Sequence, residues 1–567
     1  MDNKHLSSFY KLLAIAYLLL LFAQAVKAAK ADRGRGEWQL LQNNTGVVAM
    51  HMALTYKNTV IMFDQTDSGP SRYLLRRRFN GTRCEGTRND LEDSSCYAHS
   101  VEYDVLRNKI RPLDVGSDTW CSSGSMLSNG TLIETGGFGA GSRRIRYFSP
   151  CRNGHCDWKQ GKKLLSHERW YASNLRLPEK DDRIIVVGGR DVFSYEFVPK
   201  TLSRENSFNL PFLHKTYDKN QGRNNLYPIL HLSSDGNIFI FANRDSILLN
   251  YKRNKVVKTY PRIPGKGSRS YPSTGSSVIL PLHHTNGFKK VEVMICGGAA
   301  YGAYSAAKQG RFLKGLSSCG RMVITGNSHK WKMEKMPESR LMNDMIILPT
   351  GHILIINGVK NGCAGWELAS NPSLRPYLYK PKKPLGKRFS ILKSTKIARM
   401  YHSSAVLLPD GRVLVGGSNP NNKYTFKNVA HPTELRLQAF VPAHMGREFD
   451  HIRPKNVSIY TSKNDEVVAY GEEFEVKFLM EKENKEKLRN EVIFTAYATP
   501  FNTHSISMNQ RMIILKCKNI VRNEDGWFNA LLEAPPSAKV APSGYYMLSV
   551  VNNGIPSGAQ WVRFVYA

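Results

Sequence analysis

The 567-residue chain has only one long apolar run, and that run lies near its first residue. Leu12–Phe22 follows a polar stretch with two lysines and precedes small residues that end at Ala28. This order is typical of a cleaved secretory signal peptide. A membrane anchor is the alternative, but about 11 to 15 apolar residues are fewer than the ~20 that a spanning helix needs. We therefore expect residues 1–28 to be a signal peptide, and the mature protein to be extracellular (apoplast or cell wall) without a membrane span.

Acidic residues are scarce, with 46 Asp and Glu against 80 Lys and Arg, so the net charge is +34. In a nuclear protein this charge would indicate nucleic acid, but a signal peptide argues against that partner. Outside the cell it favours acidic cell-wall polysaccharide. A solvated face that only aids solubility is the alternative. The basic clusters are Arg76–Arg78, Arg143–Arg144 and Lys380–Arg388.

Cysteine is also sparse, and its count of nine is odd. Cysteines of a secreted chain are expected to be oxidised, and an odd count leaves one for another role. Local spacing suggests three bridges and a possible fourth, although spacing does not prove connectivity: Cys84–Cys96, Cys151–Cys156, Cys296–Cys319 and Cys363–Cys517. Cys121 is then left over. Four N-glycosylation sequons add to the secreted character: Asn43, Asn80, Asn129 and Asn456.

A repeated pattern of a turn, an apolar β-rich run and a small-residue break runs through most of the chain. The first break residues fall at 136, 188, 242, 297, 357 and 416, at intervals of 52 to 60 residues. The runs are 131–137, 183–189, 237–243, 291–298, 352–358 and 412–417, with an earlier copy at 59–63. Repeats near 50 residues that end in Gly-Gly resemble kelch-type blades, and seven copies fit a seven-bladed β-propeller.

Two other architectures fit less well. A stack of βαβ units needs long amphipathic helices between the strands, and none is evident. The string Gly136–Gly141 is similar to a dinucleotide loop, which needs a helix immediately after it. Here Ser142–Phe148 has the pattern of a strand instead.

The repeat also predicts where side chains converge. Cys121, Tyr171, Tyr227 and Tyr401 stand 15 to 17 residues before their break residues. Equivalent positions of a propeller lie at the same end of the ring, so we expect these side chains to meet at one mouth of the channel. Tyr227 and Asn343 could shape that mouth, although strand packing is the commoner role for such residues.

After about residue 440 the repeat stops and short strands separated by Gly, Pro and Asn turns follow. This pattern predicts an immunoglobulin-like β-sandwich over residues 441–567, after a propeller over 29–440. A polar segment around His504 could reach the propeller channel.

Two phenols and two imidazoles form a plausible copper site, because copper(II) favours a square-based set of nitrogen and oxygen ligands. Four motifs in order make the chain resemble the copper radical oxidase family, on the glyoxal oxidase branch related to galactose oxidase. The motifs are Asp118–Ser122, Glu168–Ser173, Arg399–Ser403 and Thr503–Ser505 with Met508–Arg511. The resemblance covers nearly all of the mature chain.

The resemblance implies one role for each residue. Cys121 and Tyr171 would form a self-processed, thioether-linked radical cofactor. One copper ion would be held by Tyr171, Tyr401, His402 and His504, with Tyr401 as axial ligand and general base. The implied reaction oxidises a small aldehyde with O₂ and releases H₂O₂.

Two departures favour the glyoxal oxidase branch. Galactose oxidase stacks a tryptophan over its radical tyrosine just after a Gly-Gly, where this chain has Arg190-Asp191. It also has an N-terminal sugar-binding domain, whereas we expect this chain to pass almost directly from signal peptide to propeller. An oxidase of primary alcohols or galactose on cell-wall polysaccharide remains the alternative, followed by a propeller that only binds glycan.

Overall fold

A computed structural model describes residues 34–75, 96–202, 205–461, 466–480 and 492–567. Within them the regular secondary structure is almost entirely β-strand, which confirms the all-β prediction. The two α-helices, Pro211–Lys215 and Ala303–Ala307, have five residues each. Among the described residues, no helix is long and apolar enough to cross a membrane. The predicted signal peptide lies outside the described residues.

Seven antiparallel sheets, here called sheets 1 to 7, each take four strands from the described chain between residues 37 and 441. Sheet 1 also carries two strands from the second part of the chain, Phe501–Thr503 and Ile506–Met508. Sheet 1 contains His51–Leu54, Thr59–Phe63, Ser100–Asp104 and Lys109–Leu113, and sheet 2 contains Ser123–Met126, Leu132–Thr135, Ile145–Phe148 and Trp158–Gln160. Sheet 3 contains Ala172–Arg176, Ile184–Gly188, Ser194–Val198 and Phe208–Asn209. Sheet 4 contains Ile229–Leu232, Ile238–Ala242, Asp245–Asn250 and Lys255–Thr259.

Sheets 5 to 7 continue the series, and the last one recruits the strand Glu37–Gln42 from the start of the described chain. Sheet 5 contains Ser276–Ile279, Glu292–Cys296, Ser318–Val323 and Lys332–Lys335. Sheet 6 contains Asp344–Ile347, Ile353–Ile356, Tyr377–Tyr379 and Phe389–Ile391. Sheet 7 contains Ser403–Leu407, Val413–Gly417, Leu437–Val441 and Glu37–Gln42. A separate hairpin joins Val359–Gly362 to Ala369–Pro372. Single 3₁₀ turns occur at Gly139–Gly141, Lys219–Gln221, His284–Asn286, Ala443–Met445 and Arg447–Phe449.

The second part of the chain forms two further sheets. One contains Val467–Ala469, Val492–Ala498, Arg511–Ile514, Gly544–Asn552, Ile555–Pro556 and Gln560–Val565, with Leu282–His283 at its edge. The other contains Lys455–Tyr460, Glu473–Leu479, Lys516–Arg522 and Trp527–Glu533. The strands that the sequence indicated after residue 450 are all present.

Each of the seven apolar runs forms the second strand of its sheet, and these strands are almost completely buried. Ile184–Gly188, for example, is buried along its whole length, as expected for a strand covered on both faces. First strands of neighbouring sheets lie side by side, as in the pairs formed by sheets 2 and 3 and by sheets 6 and 7. The predicted strand within Ser142–Phe148 is present at Ile145–Phe148, so no dinucleotide loop forms there.

The Gly-Gly breaks have a steric reason. Gly136 has φ +79°, and a Cβ at this position would lie 2.2 Å from the carbonyl oxygen of Arg169. Gly297 has φ +75°, and its Cβ would lie 2.3 Å from the carbonyl oxygen of Arg340. Both arginines lead into the next sheet, so glycine allows neighbouring sheets to approach closely.

Fully buried arginines join the breaks to the chain around them, a feature that sequence analysis did not identify. In five sheets an Arg Nη1 donates to the carbonyl oxygen of the first break residue, at 2.5 to 3.0 Å: Arg146 to Gly136, Arg169 to Gly188, Arg269 to Gly297, Arg340 to Asn357 and Arg399 to Gly417. A buried charge is costly unless it is hydrogen-bonded. These contacts therefore fix the loop before the first strand in these five sheets.

Candidate metal centre

A residue one or two positions before the first strand takes a left-handed backbone conformation in six of the seven sheets. The φ angles are +53° at Cys121, +65° at Tyr171, +46° at Tyr227 and +61° at His402, with Thr274 and Met342 in the same position of sheets 5 and 6. Non-glycine residues seldom adopt this conformation, and it concentrates at functional sites. Three of the predicted site residues therefore occupy one repeated backbone position.

This register corrects one sequence interpretation. Gly188-Gly189 has φ angles of +76° and +129°, and Gly417-Ser418 has +74° and +125°. The last break therefore begins at Gly417, one residue later than expected. His402, rather than Tyr401, is therefore equivalent to Tyr171. The sequence could not show this, because only φ distinguishes between the adjacent glycines at 416 and 417.

His504 reaches the same place from the second part of the chain. The strands Phe501–Thr503 and Ile506–Met508 form a hairpin, and the first of them pairs with His51–Leu54 of sheet 1. The two turn residues, His504 and Ser505, have φ of +46° and +71°. A two-residue turn with both φ angles positive is type I′, the turn that matches the twist of paired strands. The hairpin thus presents His504 at its tip, as the polar segment suggested.

The structure brings a thiol and two imidazoles together. Ligand atoms of Cys121, His402 and His504 all lie within 4.8 Å of one another. The Cys121 Sγ is 3.2 Å from the His504 Nε2. The two imidazole rings have centroids 5.0 Å apart and are nearly perpendicular. Nitrogen donors in this arrangement can hold one metal ion between them.

Both predicted phenols border this group. The Tyr401 ring stacks on His402 with centroids 3.9 Å apart, and its centroid lies 5.5 Å from that of His504. The Tyr171 ring lies 6.1 Å from His504. Tyr171, Tyr401, His402 and His504 are each at most 5% exposed, and Cys121 is fully buried. All five predicted site residues therefore meet in one buried cluster.

Burial determines the protonation states of these groups. It raises the pKa of the Cys121 thiol and of the Tyr171 and Tyr401 phenols well above their ordinary values. It lowers the pKa of His402 and His504, whose imidazoles are neutral and able to ligate. A divalent cation would reverse the effect on the phenols, because it favours the ionised form of a bound oxygen.

The donor set fits copper. Within the part of the chain that the structure describes, neither ring nitrogen of His402 has a hydrogen-bond partner, although the residue is 2% exposed. A buried polar atom without a partner is costly, so an imidazole of this kind suits a metal ligand. His504 is oriented by the Thr503 hydroxyl, 2.6 Å from its Nδ1. If Nδ1 carries the proton and donates to that oxygen, Nε2 is left as the ligand atom. A hydrogen bond donated by the other ring nitrogen is the usual support of a metal-binding histidine.

Aromatic rings enclose Tyr171, although Arg190 stands where galactose oxidase has its stacking tryptophan. The ring of Trp170 lies 4.7 Å from that of Tyr171, and Tyr271 lies 4.5 Å away. The Arg190 guanidinium lies 4.8 Å from the Trp170 ring centroid. The tryptophan that packs on this tyrosine is thus its own chain neighbour.

Tyr271 is the main residue that sequence analysis missed. Its hydroxyl lies 3.2 Å from that of Tyr171 and 2.8 Å from that of Tyr401. It stands three residues before the left-handed position of sheet 5, so the repeat does not mark it. Tyr227 does lie in the cluster, with its ring 5.1 Å from His504. Asn343 is buried beside the first strand of sheet 6, and no partner is present for either polar atom of its side chain.

The disulfide predictions are partly confirmed. Cys151–Cys156 and Cys296–Cys319 are bridged, and Cys121 carries a buried free thiol. The suggested Cys363–Cys517 bridge is wrong, because Cys363 is a buried thiol in a small cluster around the helix Ala303–Ala307. The Cys84–Cys96 bridge involves a cysteine outside the described residues.

Small sheets in series, with phenols, imidazoles and a thiol in one buried cluster, define a metal-dependent oxidoreductase. Two family models match: glyoxal oxidase N-terminus at residues 50–444 and galactose oxidase-like, early set domain at residues 453–564. The chain belongs to the glyoxal oxidase family.

Named relatives agree with this assignment. Aldehyde oxidase GLOX1 of Arabidopsis thaliana is 43% identical over 94% of this chain and 85% of its own length. Aldehyde oxidase GLOX of Vitis pseudoreticulata is 42% identical over 94% of this chain and 97% of its own length. A galactose oxidase of Gibberella zeae is 27% identical over 40% of this chain and 29% of its own length. The chain is thus similar to aldehyde oxidases over nearly its whole length.

Proposed function

We propose that this protein is a secreted copper radical oxidase that converts small aldehydes, such as glyoxal and methylglyoxal, to carboxylic acids. An aldehyde hydrate and O₂ would give the acid and H₂O₂, which balances atoms and electrons. The observation that carries the proposal is the single buried cluster of Cys121, Tyr171, Tyr401, His402 and His504. Relatives named aldehyde oxidases support the choice of substrate class.

Tyr171, Tyr401, His402 and His504 would hold one copper ion. Copper bound there supplies one-electron redox chemistry and a Lewis-acid position for substrate oxygen. The protein contributes a closed, rigid setting: the two imidazoles are neutral, and burial keeps competing water away from the phenols. Positioning of this kind supplies much of an enzyme's rate acceleration.

The cofactor would come from the chain itself. Joining Cys121 Sγ to a ring carbon of Tyr171 removes one hydrogen from the thiol and one from the ring, and O₂ accepts both as H₂O₂. The Tyr171 backbone N–H donates to the Cys121 carbonyl oxygen at 3.0 Å, so the two residues are held side by side. In turnover, Tyr401 would accept the proton of the substrate hydroxyl, and the oxidised Tyr171 oxygen would take a hydrogen atom from carbon.

The finer architecture is part of the proposal. We assign residues 29–440 to a seven-bladed kelch-type β-propeller, with sheets 1 to 7 as blades, and residues 441–567 to an immunoglobulin-like sandwich. Residues 1–28 would be the signal peptide. Exposed sequon asparagines at 43, 129 and 456 and two disulfides support secretion to the apoplast or cell wall. The net charge of +34 suits acidic cell-wall polysaccharide as a partner.

The test is H₂O₂ release by purified, copper-loaded, oxidised protein given methylglyoxal or galactose, with Tyr171→Phe as control. Release with methylglyoxal that the variant abolishes is the expected result. Release with galactose alone would reassign the enzyme to primary alcohols. Absence of peroxide with both, despite stoichiometric copper, would overturn the proposed substrates or the catalytic role of the site. A protein that takes up no stoichiometric copper would favour the glycan-binding role instead.

A further inference from the structure

We propose that Tyr271 is a positioning residue that joins Tyr171 and Tyr401 into one hydrogen-bonded chain of phenols. The inference rests on the proposed function and goes beyond the four ligands and the thioether. Its basis is geometric: the Tyr271 hydroxyl lies 3.2 Å from one phenol oxygen and 2.8 Å from the other. Tyr271 is buried, with 9% exposure, so solvent offers little competition for these bonds.

The direction of the chain follows from counting hydrogens. A phenol has one O–H donor, and its oxygen can also accept. An oxidised or ionised Tyr171 oxygen has no hydrogen and can only accept. Tyr271 has one hydrogen, which it can donate either to Tyr171 or to an ionised Tyr401. One hydroxyl thus links the proposed radical to the proposed base: once Tyr401 has accepted the substrate proton, it can donate to Tyr271 while Tyr271 donates to Tyr171.

The ring of Tyr271 has a second effect. Its centroid is 4.5 Å from that of Tyr171, with an angle of 31° between the ring planes. Trp170 also packs on Tyr171, with centroids 4.7 Å apart. Packed aromatic neighbours restrict ring motion and exclude water, which suits a long-lived oxidised side chain.

The loop that carries Tyr271 is rigid. The Tyr271 N–H donates to the Leu226 carbonyl oxygen at 3.2 Å. Two residues earlier, the fully buried Arg269 donates from Nη1 to the carbonyl oxygens of Gly297 and Ser318 at 2.5 and 2.9 Å. Two anchors on different sheets therefore fix the position of the phenol.

Other buried tyrosines satisfy the hydroxyl with a backbone carbonyl oxygen or with a side chain outside the cluster. Tyr227, Tyr260 and Tyr546 each donate the hydroxyl to a backbone carbonyl oxygen, at 2.7 to 2.8 Å. This is the usual way to satisfy a buried hydroxyl. The hydroxyl of Tyr271 bonds instead to two side chains that the reaction uses.

The test compares Tyr271→Phe with wild type and with Tyr195→Phe. The Tyr195 ring is fully buried, and its hydroxyl donates to Asn254 at 2.8 Å, outside the cluster. In copper-loaded protein we expect Tyr271→Phe to shorten the lifetime of the tyrosyl radical, followed by its visible absorption, by about tenfold. We expect kcat to fall by a similar factor with KM changed less than about threefold, because the lost bonds act after binding. Tyr195→Phe should change neither quantity.

The outcomes of this test separate the Tyr271 role from the proposed function. Wild type without radical or peroxide would overturn the proposed function and the Tyr271 role with it. A normal wild type beside a Tyr271→Phe variant of unchanged radical lifetime would overturn the Tyr271 role alone. If Tyr271→Phe does not fold, Tyr271→Leu, which likewise removes the hydrogen-bonding hydroxyl, is measured by the same two criteria, and an unchanged radical lifetime would again overturn the proposal.

Discussion

The Cys121 Sγ and the His504 Nε2 lie 3.2 Å apart, although 383 positions separate the two residues in the chain. Cys121 stands at the left-handed position before sheet 2, and His504 stands at the tip of a hairpin from the second part of the chain. That hairpin adds a strand to sheet 1, where Thr503 pairs with His51. The cluster is therefore complete only when both parts of the chain are folded and joined.

The fate of the Cys121 thiol gives the first prediction. The thiol lies close enough to both imidazoles to be a metal ligand, but the proposed function joins it to Tyr171. We expect aerobic copper loading to cross-link the peptides that contain residues 121 and 171, with a mass loss of two hydrogens. Mass spectrometry after proteolysis measures both.

Cys121→Ser should prevent this cross-link and reduce peroxide release to background. Cys363→Ser is the matched control, because that thiol is also buried and unbridged but lies in another cluster. A copper–thiolate absorption band without any mass loss would show instead that Cys121 is a ligand.

The unpartnered imidazole of His402 gives the second prediction. Replacing it with leucine removes two buried nitrogens that have no hydrogen-bond partner. We expect His402→Leu to leave the copper-free protein as stable as wild type, or more stable by about 1–2 kcal/mol. The variant should lose stoichiometric copper and the rise in Tm that copper gives to wild type. Thermal unfolding with and without copper measures both effects.

His231→Leu is the control for that experiment. His231 is also buried, but its Nε2 is 2.8 Å from the Ser277 hydroxyl. This variant should lose stability and still gain Tm with copper. A large loss of stability in copper-free His402→Leu would mean that the imidazole has a structural role that the geometry does not reveal.

The hydroxyl of Thr503 gives the third prediction. It lies 2.6 Å from the His504 Nδ1 and so selects the ring orientation that leaves Nε2 for the metal. Thr503→Val keeps the shape of the side chain and removes this bond. Losing such a support typically costs 10–100-fold in metal affinity, so we expect about that loss in a copper titration. Thr499→Val, which removes a hydroxyl bonded to a backbone carbonyl, should leave the affinity within about twofold of wild type. Equal affinities in the two variants would contradict this role for Thr503.

The sequence allowed the strands to be predicted because each blade-like unit repeats one apolar run before a small-residue break. Runs such as Ile184–Gly188 are buried on both faces, so their composition is distinctive. The residues of the buried cluster could be named from the sequence because four motifs together are specific. The register of Tyr401 could not be predicted, because Gly416 and Gly417 both precede Ser418 and only backbone angles show which of them is the break.

Tyr271 was not predictable for a different reason. It does not occupy the repeated left-handed position, and its contacts depend on the path of an irregular loop. Arg269, which anchors that loop, is likewise an arginine whose burial no local pattern indicates. Residues of this kind are found by their partners in space, such as the two phenols that flank Tyr271.

The buried carboxyl of Asp344 gives the last prediction. Burial raises its pKa from the ordinary 3.8 to about 8, partly offset by a hydrogen bond from the Asn357 Nδ2 at 2.7 Å. The folded protein therefore keeps a proton that the unfolded chain releases above about pH 4. Stability contributed by this group is complete below that pH and is lost as pH rises to about 8, with a slope of up to about 1.4 kcal/mol per pH unit. Asp344→Asn, which keeps a neutral acceptor for Asn357, should remove this slope and be the more stable protein at pH 8.

Denaturant unfolding at a series of pH values checks the Asp344 prediction, with Asp525→Asn at an exposed turn as the control. The control should retain the wild-type dependence, because its carboxyl is not buried. Parallel curves for wild type and Asp344→Asn between pH 4 and pH 8 would contradict the prediction, since they would mean that Asp344 is ionised in the fold. Asp344 begins the first strand of sheet 6, beside Asn343. A neutral carboxyl there adds no negative charge near the proposed copper ligands, so the same variant should leave copper affinity within about twofold of wild type.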